Sequence, residues 1–280
     1  VEFMAALLTY ESGNTDKVVE YIEECRRMGI DVLPPDVNES YTDFTVIYVE
    51  GPQGKKGVIR FGLGAVKGVG DKAVEKIVEA RREVGRFGSL FHFCEHVDLR
   101  AVNKPVIEAL IKAGAFDQLG GSRAQMMAGL EKAMQIGQQL QADRHSGQMN
   151  LFGAAVDPAE TLARDREALP KVQPWTEMEM LTHEKEVLGL YVTDNPLSHH
   201  ATELDAYASG FTTDLADRPQ DAEIVLGGMV TKVRLKVPRN GRNAGKKMAV
   251  FELQDLQGKC EVVMFAEVYE RFGALLAVDR

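Results

Sequence analysis

Cysteine is scarce in this chain: Cys25, Cys94 and Cys260 are the only three in 280 residues, and they lie far apart. Such spacing excludes the paired cysteines of a zinc site or a disulfide framework. Long hydrophobic runs are also missing, since no apolar stretch approaches the roughly 18 residues of a membrane span. No signal peptide opens the chain. We therefore expect a protein of the reducing cytoplasm with no membrane partner.

Net positive charge is a further absence, because the formal net charge is −9. This balance argues against a protein that coats nucleic acid over a whole face. The stretch from residue 232 to residue 247 nevertheless contains basic residues and no acid, so it is either a solvated loop or a local patch that attracts a polyanion. Its cations are Lys232, Arg234, Lys236, Arg239, Arg242, Lys246 and Lys247.

The stretch from Phe61 to Arg81 is interpreted as a helix, a Gly-Val-Gly turn and a second helix that begins near Asp71. Gly68 and Gly70 flank an apolar residue that is expected to fill the gap between the two helices. Each glycine permits a backbone geometry that a Cβ atom would block.

The N–H groups of this turn are expected to face solvent, where unpaired donors and the helix dipole favour an anion. The turn therefore predicts a site for one DNA phosphate, although a tight turn between packed helices is the alternative. Such contacts read no base edge, so binding is expected to be sequence-independent and salt-sensitive. The predicted DNA-binding residues here are Lys67, Gly68, Val69, Gly70 and Lys72.

A second helical hairpin without the glycines is predicted downstream. Apolar residues between Phe87 and Phe93 precede a helix that begins at Asn103, with Pro105 at an early helical position. This helix runs through Lys112 and ends at Gly114. The two hairpins are expected to form a four-helix module with a shared core. Ser122 is expected to cap a long helix that frays into the polar stretch from residue 138 to residue 147.

Strands are predicted in two places. Phe44–Val49 and Gly57–Phe61 indicate a hairpin, and a region of strands begins at Glu223. The basic residues 232–247 are expected to form the loop between the first two strands of that region. Phe251 and Phe265 stack on bases or belong to the core, and their apolar surroundings favour the core. The strands of this region are predicted at Ile224–Val233, Met248–Leu253 and Cys260–Phe265.

Leu151 and Phe152 form an apolar pair in otherwise polar surroundings. An exposed pair of this kind is expected to dock into a pocket on a partner, with Gln148 anchoring one end of the peptide by hydrogen bonds. Affinity is expected to be modest, because the peptide must become ordered when it binds.

Taken in order, these motifs resemble the alpha subunits of bacterial DNA polymerase III, which are replicative DNA polymerases of the C family. The resemblance covers nearly the whole chain, and the first residue, Val1, is not methionine, so we expect a C-terminal fragment. The matching segments are FGLGAVKGVG at Phe61–Gly70, VIEALIKAGAFDQLG at Val106–Gly120, GQMNLFG at Gly147–Gly153, HEKEVLGLYV at His183–Val192 and the strands from Glu223.

The resemblance implies an α+β, multidomain protein: a mostly helical tandem helix-hairpin-helix module followed by a truncated OB-type β-barrel. The implied domains are the end of a fingers domain (1–56), a helix-hairpin-helix domain that binds DNA and clamp (57–155), a linker with a helical segment (156–221) and a partial OB-fold (222–280).

The implied function is that of part of a DNA-directed DNA polymerase in chromosomal replication. This part would bind duplex DNA and single-stranded template without sequence preference, tether the enzyme to the sliding clamp and work with other replicase subunits. The family's clamp peptide falls on Gln148, Met149, Asn150, Leu151 and Phe152. The cations assigned to DNA in the OB region are Arg234, Lys236, Arg239, Arg242, Lys246 and Lys247.

No catalytic residue, metal site or cofactor is predicted within the chain. Nucleotidyl transfer needs closely placed carboxylates that hold metal ions, and no Asp-x-Asp pair occurs here. The resemblance places those carboxylates and their Mg²⁺ in an upstream palm domain. The pattern H-x-x-E-H at His92–His96 lacks a third ligand and is not interpreted as zinc-binding. At Asn195 the family has histidine, so a histidine-dependent role there is lost.

Two alternatives remain open on the sequence. The helical hairpins also fit an error-prone or repair-type DNA polymerase, and they fit a non-catalytic DNA-binding adaptor. The peptide at Gln148–Phe152 favours the replicative polymerase over its repair-type relatives, which are expected to lack a good clamp peptide.

Overall fold

In a computed structural model of the chain, residues 1–51, 54–145, 169–238 and 245–278 are described. The fold divides into two compact units, Val1–Thr193 and Asp194–Arg280. None of the helices in the described ranges combines the length and the hydrophobicity needed to cross a bilayer.

The first unit is mostly helical with one small sheet. Short 3-10 turns lie at Leu63–Ala65 and Asp117–Leu119. Its helices and strands are α1 Glu2–Tyr10, α2 Thr15–Arg27, β1 Val32–Leu33, β2 Thr45–Gly51, β3 Gly54–Arg60, α3 Asp71–Val84, α4 Leu90–His96, α5 Lys104–Lys112, α6 Arg123–His145 and α7 Glu177–Leu188.

The sheet has the strand order β1-β3-β2. Strands β2 and β3 form the predicted antiparallel hairpin, in which Thr45 pairs with Arg60. The short strand β1 adds a parallel edge, with Val32 opposite Ile59, and the sequence did not predict it.

The prediction of a helix between Phe61 and the Gly-Val-Gly turn is wrong, because the chain forms only a short 3-10 turn there. The N–H groups of Leu63 and Gly64 donate to the carbonyls of Tyr41 and Thr42, at 2.8 and 3.0 Å, and not to carbonyls one helical turn back. A Cβ atom at Gly62 would lie 2.4 Å from the Thr42 oxygen. The glycines therefore serve a close backbone crossing, and glycine also disfavours α-helix.

The second helix of the motif, α3, begins at Asp71 as predicted. Val69 is buried, and it belongs to the same core as Ile77 of α3 and Ile107 of α5. The two motifs therefore share one core as expected, but the predicted four-helix module contains three helices, α3, α4 and α5, because its first helix is replaced by a 3-10 turn. Phe93 lies at its centre, with ring centroids of Phe87 and Phe116 both 4.9 Å away.

The second hairpin has the predicted start and stop of α5, and a cap at the start of α4 that the sequence did not predict. The Ser89 hydroxyl accepts from the His92 N–H at the start of α4, and the Asn103 side chain accepts from the Val106 N–H at the start of α5. Gly114 has a φ of +80° just after α5. Asn103 and Gly114 are ordinary helix start and stop signals, which is why the sequence identified them.

Helix α6 continues to His145, so the prediction that it frays from residue 138 is wrong. Gln141 donates to the carbonyls of Cys94, Glu95 and Val97 at 3.0, 3.2 and 2.9 Å, and so caps the C-terminal end of α4. A Cβ atom at Gly137 would lie 2.4 Å from the Cys94 oxygen. Polar residues therefore hold α6 against the second hairpin.

The second unit contains one antiparallel sheet and short helical segments. The Asn195 side chain accepts from the Leu197 N–H at 3.0 Å, so this residue forms a turn. Its elements are 3-10 turns at Pro196–His200, Thr212–Asp217 and Gly273–Leu275, helices α8 Ala201–Tyr207 and α9 Ala266–Phe272, and strands β4 Met229–Lys236, β5 Met248–Gln254 and β6 Lys259–Met264.

The sheet has the order β4-β5-β6. The described residues of the unit contain this open three-stranded sheet and no closed barrel, so the OB-type barrel remains a prediction. Strand β4 extends to Lys236, three residues beyond its predicted end, and a register shift interrupts its pairing between Val230 and Lys232.

Candidate nucleic-acid interface

The Gly-Val-Gly turn lies on the surface of the first unit. Lys67, Gly68, Gly70 and Lys72 are exposed, whereas Val69 is 5% exposed. The buried valine anchors the turn in the core beneath it, which leaves the backbone of its neighbours facing solvent.

Four backbone donors of this turn have no internal partner. Among the described residues, no group accepts a hydrogen bond from the backbone N–H of Gly68, Gly70, Asp71 or Lys72. Gly70 is the N-cap of α3, and no side chain caps the helix. A helix N-terminus with unpaired donors and the positive end of its dipole is suited to one phosphate group.

The two glycines have different roles. Gly68 has a φ of +87°, in the left-handed region that favours glycine. The φ of Gly70 is −86°, so the expectation that it too needs a special backbone conformation is wrong. A Cβ atom at Gly70 would have no neighbour within 4 Å. Because glycine has no Cβ atom, the space in front of the helix N-terminus stays open.

Charge at the turn is mixed. Lys67 and Lys72 are exposed and form no ion pair among the described residues, while Asp71 adds one exposed carboxylate. An acidic side chain in the first turn of a helix interacts favourably with the helix dipole. The Asp71 carboxylate also repels a phosphate, so the positive charge of the two lysines must offset that repulsion.

The second hairpin offers less to an anion. Its helix N-terminus is capped by Asn103, and Pro105 has no N–H group to donate. The Lys104 amine lies 2.5 Å from a Glu131 carboxylate oxygen. The first hairpin is therefore the better candidate for phosphate contact.

Arg81, at the end of the motif stretch, is a structural residue. It is 7% exposed, and its guanidinium donates to the carbonyls of Val37 and Ser40 at 3.0 and 2.8 Å. Burial lowers the pKa of this group, and the Tyr41 hydroxyl opposes that shift. The guanidinium carbon also lies 4.8 Å from the centroid of the Tyr41 ring. Arg81 thus fixes α3 to the preceding loop and does not reach solvent.

Cations of the second unit form a row on β4, which corrects the prediction that they all lie in a loop. Lys232, Arg234 and Lys236 are exposed and alternate along the strand, so they share one face of the sheet. Lys246 and Lys247 are exposed just before β5. The remaining two, Arg239 and Arg242, lie outside the described residues.

Of the two aromatic residues considered for base stacking, Phe251 is half-buried on β5. Phe265 is 58% exposed at the start of α9, so the prediction that it belongs to the core is wrong. It follows β6 directly and therefore lies at the edge of the apolar run that suggested burial.

The predicted clamp peptide, Gln148–Phe152, lies outside the described residues. The chain on both sides of it is described: α6 ends at His145, and the chain resumes at Leu169. Leu169 is 8% exposed, and Cβ atoms built on Gly121 and Gly129 would lie 2.7 and 3.1 Å from its methyl groups. Before the peptide, Arg144 near the end of α6 pairs with Glu95 of α4, so described residues of the first unit make contacts within that unit on both sides of it.

The histidines of the H-x-x-E-H pattern have packing roles. The Nδ1 atom of His92 accepts from the Gly88 N–H at 3.2 Å, and Nδ1 of His96 lies 2.9 Å from the His92 carbonyl oxygen. Their rings also contact each other, with centroids 4.5 Å apart. Both histidines therefore stabilise α4 and its start.

Comparison with known proteins supports this interface. Residues 29–126 match the family model for the helix-hairpin-helix motif. Proteins named DNA polymerase III subunit alpha align with the chain: that of Vibrio cholerae is 37% identical over 279 residues, that of Escherichia coli K12 35% over 280, and that of Saccharopolyspora erythraea 36% over 283. The alignments cover 99–100% of this chain but 23% of each relative.

Proposed function

We propose that this chain is the part of a bacterial DNA polymerase III alpha subunit that holds DNA behind the polymerase active site and tethers the enzyme to its clamp. Support comes from relatives of that name that are 35% to 37% identical over the whole chain. The match to helix-hairpin-helix proteins covers the turn at Gly68. Because the chain spans less than a quarter of those relatives, polymerase activity is proposed only for a longer parent protein, with Mg²⁺ held in its palm domain.

The observation that carries the proposal is the uncapped, solvent-facing N-terminus of α3, inside the matched motif and between two unpaired lysines. We propose that one backbone phosphate of duplex DNA accepts hydrogen bonds from the free N–H groups of Gly68, Gly70 and Lys72. Lys67 and Lys72 add charge that is independent of DNA sequence. Contacts of this kind position the duplex and read no base.

Gly70→Ala tests this contact because the new methyl group projects into the space proposed for the phosphate. We expect duplex affinity to fall about tenfold, since hydrogen bonds to a charged group are lost. The stability change should stay below about 1 kcal/mol, the usual range for an N-cap substitution. Fluorescence anisotropy with a labelled duplex measures the affinity, and thermal unfolding measures the stability.

Gly13→Ala is the matched control for this experiment. Gly13 is exposed, a Cβ atom there also meets nothing within 4 Å, and the residue lies between α1 and α2, outside the turn in sequence. Equal affinities of Gly70→Ala and Gly13→Ala would remove the phosphate contact from the proposal.

For the second unit, we propose a contact with single-stranded template. The row of exposed cations on β4 supports it, because a basic surface that follows the backbone is the common feature of single-strand binding proteins. The exposed Phe265 supplies an aromatic face on the same unit. Arg239, Arg242, Lys246 and Lys247 extend the proposed contact along the sequence.

Arg234→Ala combined with Lys236→Ala is expected to reduce the salt dependence of binding to an oligo(dT) strand. Each phosphate neutralised on a single strand contributes about 0.7 to the slope of log K against log salt, so two lost contacts lower it by roughly 1.4. A titration at several salt concentrations measures the slope. Lys259→Ala combined with Arg271→Ala removes two other exposed cations of the same unit, and an equal change in that control would contradict the proposal.

The clamp contact is proposed at Gln148–Phe152. Leu151 and Phe152 would enter an apolar pocket on the clamp, and Gln148 would hydrogen-bond at its edge. Arg144 on one side of the peptide and Leu169 on the other both contact residues of the first unit, so a bound clamp would be tethered to the unit that contains the DNA-binding turn. Such a tether raises the effective concentration of the enzyme at the primer end. Action with other replicase subunits in the cytoplasm follows as part of the same proposal.

A further inference from the structure

We propose that the segment His183–Tyr191 braces the DNA-binding turn, although it follows the clamp segment in sequence and lies outside the matched motif of residues 29–126. The inference rests on the proposed contact between that turn and duplex DNA. It makes the DNA-binding module discontinuous in sequence, with its last part supplied by α7 and the residues after it.

The brace contacts the turn directly. The Lys67 N–H, the first backbone donor of the turn, bonds to the carbonyl oxygen of Val187 in the last turn of α7, at 2.8 Å. Leu188 and Leu190 are buried in the same core as Val66 and Val69. This bond fixes one end of the turn internally, so that the following donors are presented to solvent.

The brace is itself held from two sides. Gly189, with a φ of +81°, ends α7 so close to α2 that its Cβ atom would lie 2.2 Å from Cγ2 of Thr15. The Arg26 guanidinium of α2 then donates to the Tyr191 carbonyl. On the other side, the Lys112 amine at the end of α5 lies 2.8 Å from a Glu186 carboxylate oxygen. Helix α7 thus connects the first hairpin, the second hairpin and α2.

The motif HEKEVLGLYV therefore has a physical role that its sequence does not disclose. Val187 positions the turn through its carbonyl, and Gly189 permits the close contact that holds Val187 in place. Both act as positioning residues, because neither exposes a group to DNA. The left-handed conformation and the short distance to Thr15 together leave no room for another residue at Gly189.

Gly189→Ala in the full chain tests the brace. The displaced end of α7 should break the bond from Lys67, so the Lys67 amide should exchange with solvent faster, as measured by NMR on protein labelled with ¹⁵N-lysine. Duplex affinity should fall about three- to tenfold, because the donors lose their fixed orientation. Circular dichroism must show the helices intact.

Two variants separate this role from a general loss of structure. Thr15→Ala removes the Cγ2 atom and leaves Cβ 3.7 Å from the new methyl group, so Gly189→Ala with Thr15→Ala should recover most of the affinity and of the Lys67 protection. Gly85→Ala introduces a side chain at a similar φ, +80°, at the far end of α3, where a Cβ atom meets nothing within 4 Å. Its duplex affinity should stay unchanged. If Gly189→Ala alone unfolds, Arg26→Ala, which removes the hydrogen bond to the Tyr191 carbonyl, is measured in its place with the same two expected losses.

The brace is overturned if Gly189→Ala leaves the exchange of the Lys67 amide unchanged, or if that amide loses protection while duplex affinity stays within about twofold. Absence of duplex binding by the unaltered chain is a different result, since it rejects the proposed function, and the exchange measurement still decides whether α7 holds the turn.

Discussion

Replacing Leu151 and Phe152 together by alanine is expected to reduce the affinity for the sliding clamp at least thirtyfold, which is the size of effect that buried apolar anchors carry in interfaces. The two side chains are the only large apolar groups within Gln148–Phe152 apart from Met149. Surface plasmon resonance with immobilised clamp measures the loss. Duplex affinity should remain unchanged, since the DNA-binding turn lies on a different part of the chain.

A matched control uses two other aliphatic residues of the same segment. Val156→Ala with Leu162→Ala removes five side-chain carbons outside the peptide, against nine for the test variant. Clamp affinity should stay within about twofold, because few interface residues contribute most of the binding energy. Equal losses in the two double variants would mean that the whole segment adheres through its hydrophobicity and that the peptide has no special role.

The elements that the sequence predicted well are those specified by neighbouring residues. Helix α5 was predicted from Asn103, Pro105 and Gly114, whose capping roles depend on residues within one turn. The start of α3 after Gly70 followed from the same kind of local pattern. Caps and turns are local interactions, so a sequence alone specifies them.

The elements that the sequence missed depend on distant partners. Gly62 was assigned to a helix, whereas it lies where the chain closely approaches the backbone of Thr42. Gln141 was assigned to a fraying end, yet it caps another helix more than forty residues earlier. In both cases the sequence gives the residue type, but the role of the residue depends on a tertiary contact that local patterns do not predict.

The candidate site divides along the same line. Its lysines and glycines were identified in the sequence, because their types and spacing already favour a phosphate. The sequence did not show that Gly68 alone has a left-handed backbone, that the second hairpin is capped, or that Val187 occupies the first donor of the turn. Orientation of the donors, and so the choice between the two hairpins, required the packed structure.

Arg123→Leu is expected to be the most destabilising of the substitutions considered for the first unit. Arg123 is 6% exposed and donates to both carboxylate oxygens of Asp117 and to the Lys112 carbonyl. Burial lowers its pKa, but the hydrogen bond and charge of Asp117, followed by Glu184, outweigh burial and raise it. Its Nη1 atom lies 3.6 Å from the carboxylate of Glu184, which is 0% exposed.

Loss of the Arg123 cation leaves the buried Glu184 carboxylate without a positive partner, at a cost of about 3–5 kcal/mol. The midpoint of thermal unfolding of the first unit should fall by roughly 10 °C, at about 2–4 °C per kcal/mol for a unit of this size. Trp175, the one tryptophan of the chain, packs on His183 of α7 with ring centroids 4.3 Å apart. Its fluorescence therefore follows the unfolding of this unit.

Two variants identify the buried charge as the cause. Arg144→Leu removes a cation from the same helix that is 50% exposed and paired with Glu95, and exposed pairs contribute about 0–1 kcal/mol, so its midpoint should shift little. Glu184→Gln in the Arg123→Leu background removes the unpaired charge and should restore part of the stability. If that double variant is as unstable as Arg123→Leu alone, the cost comes from lost packing of the arginine and not from the carboxylate it neutralises.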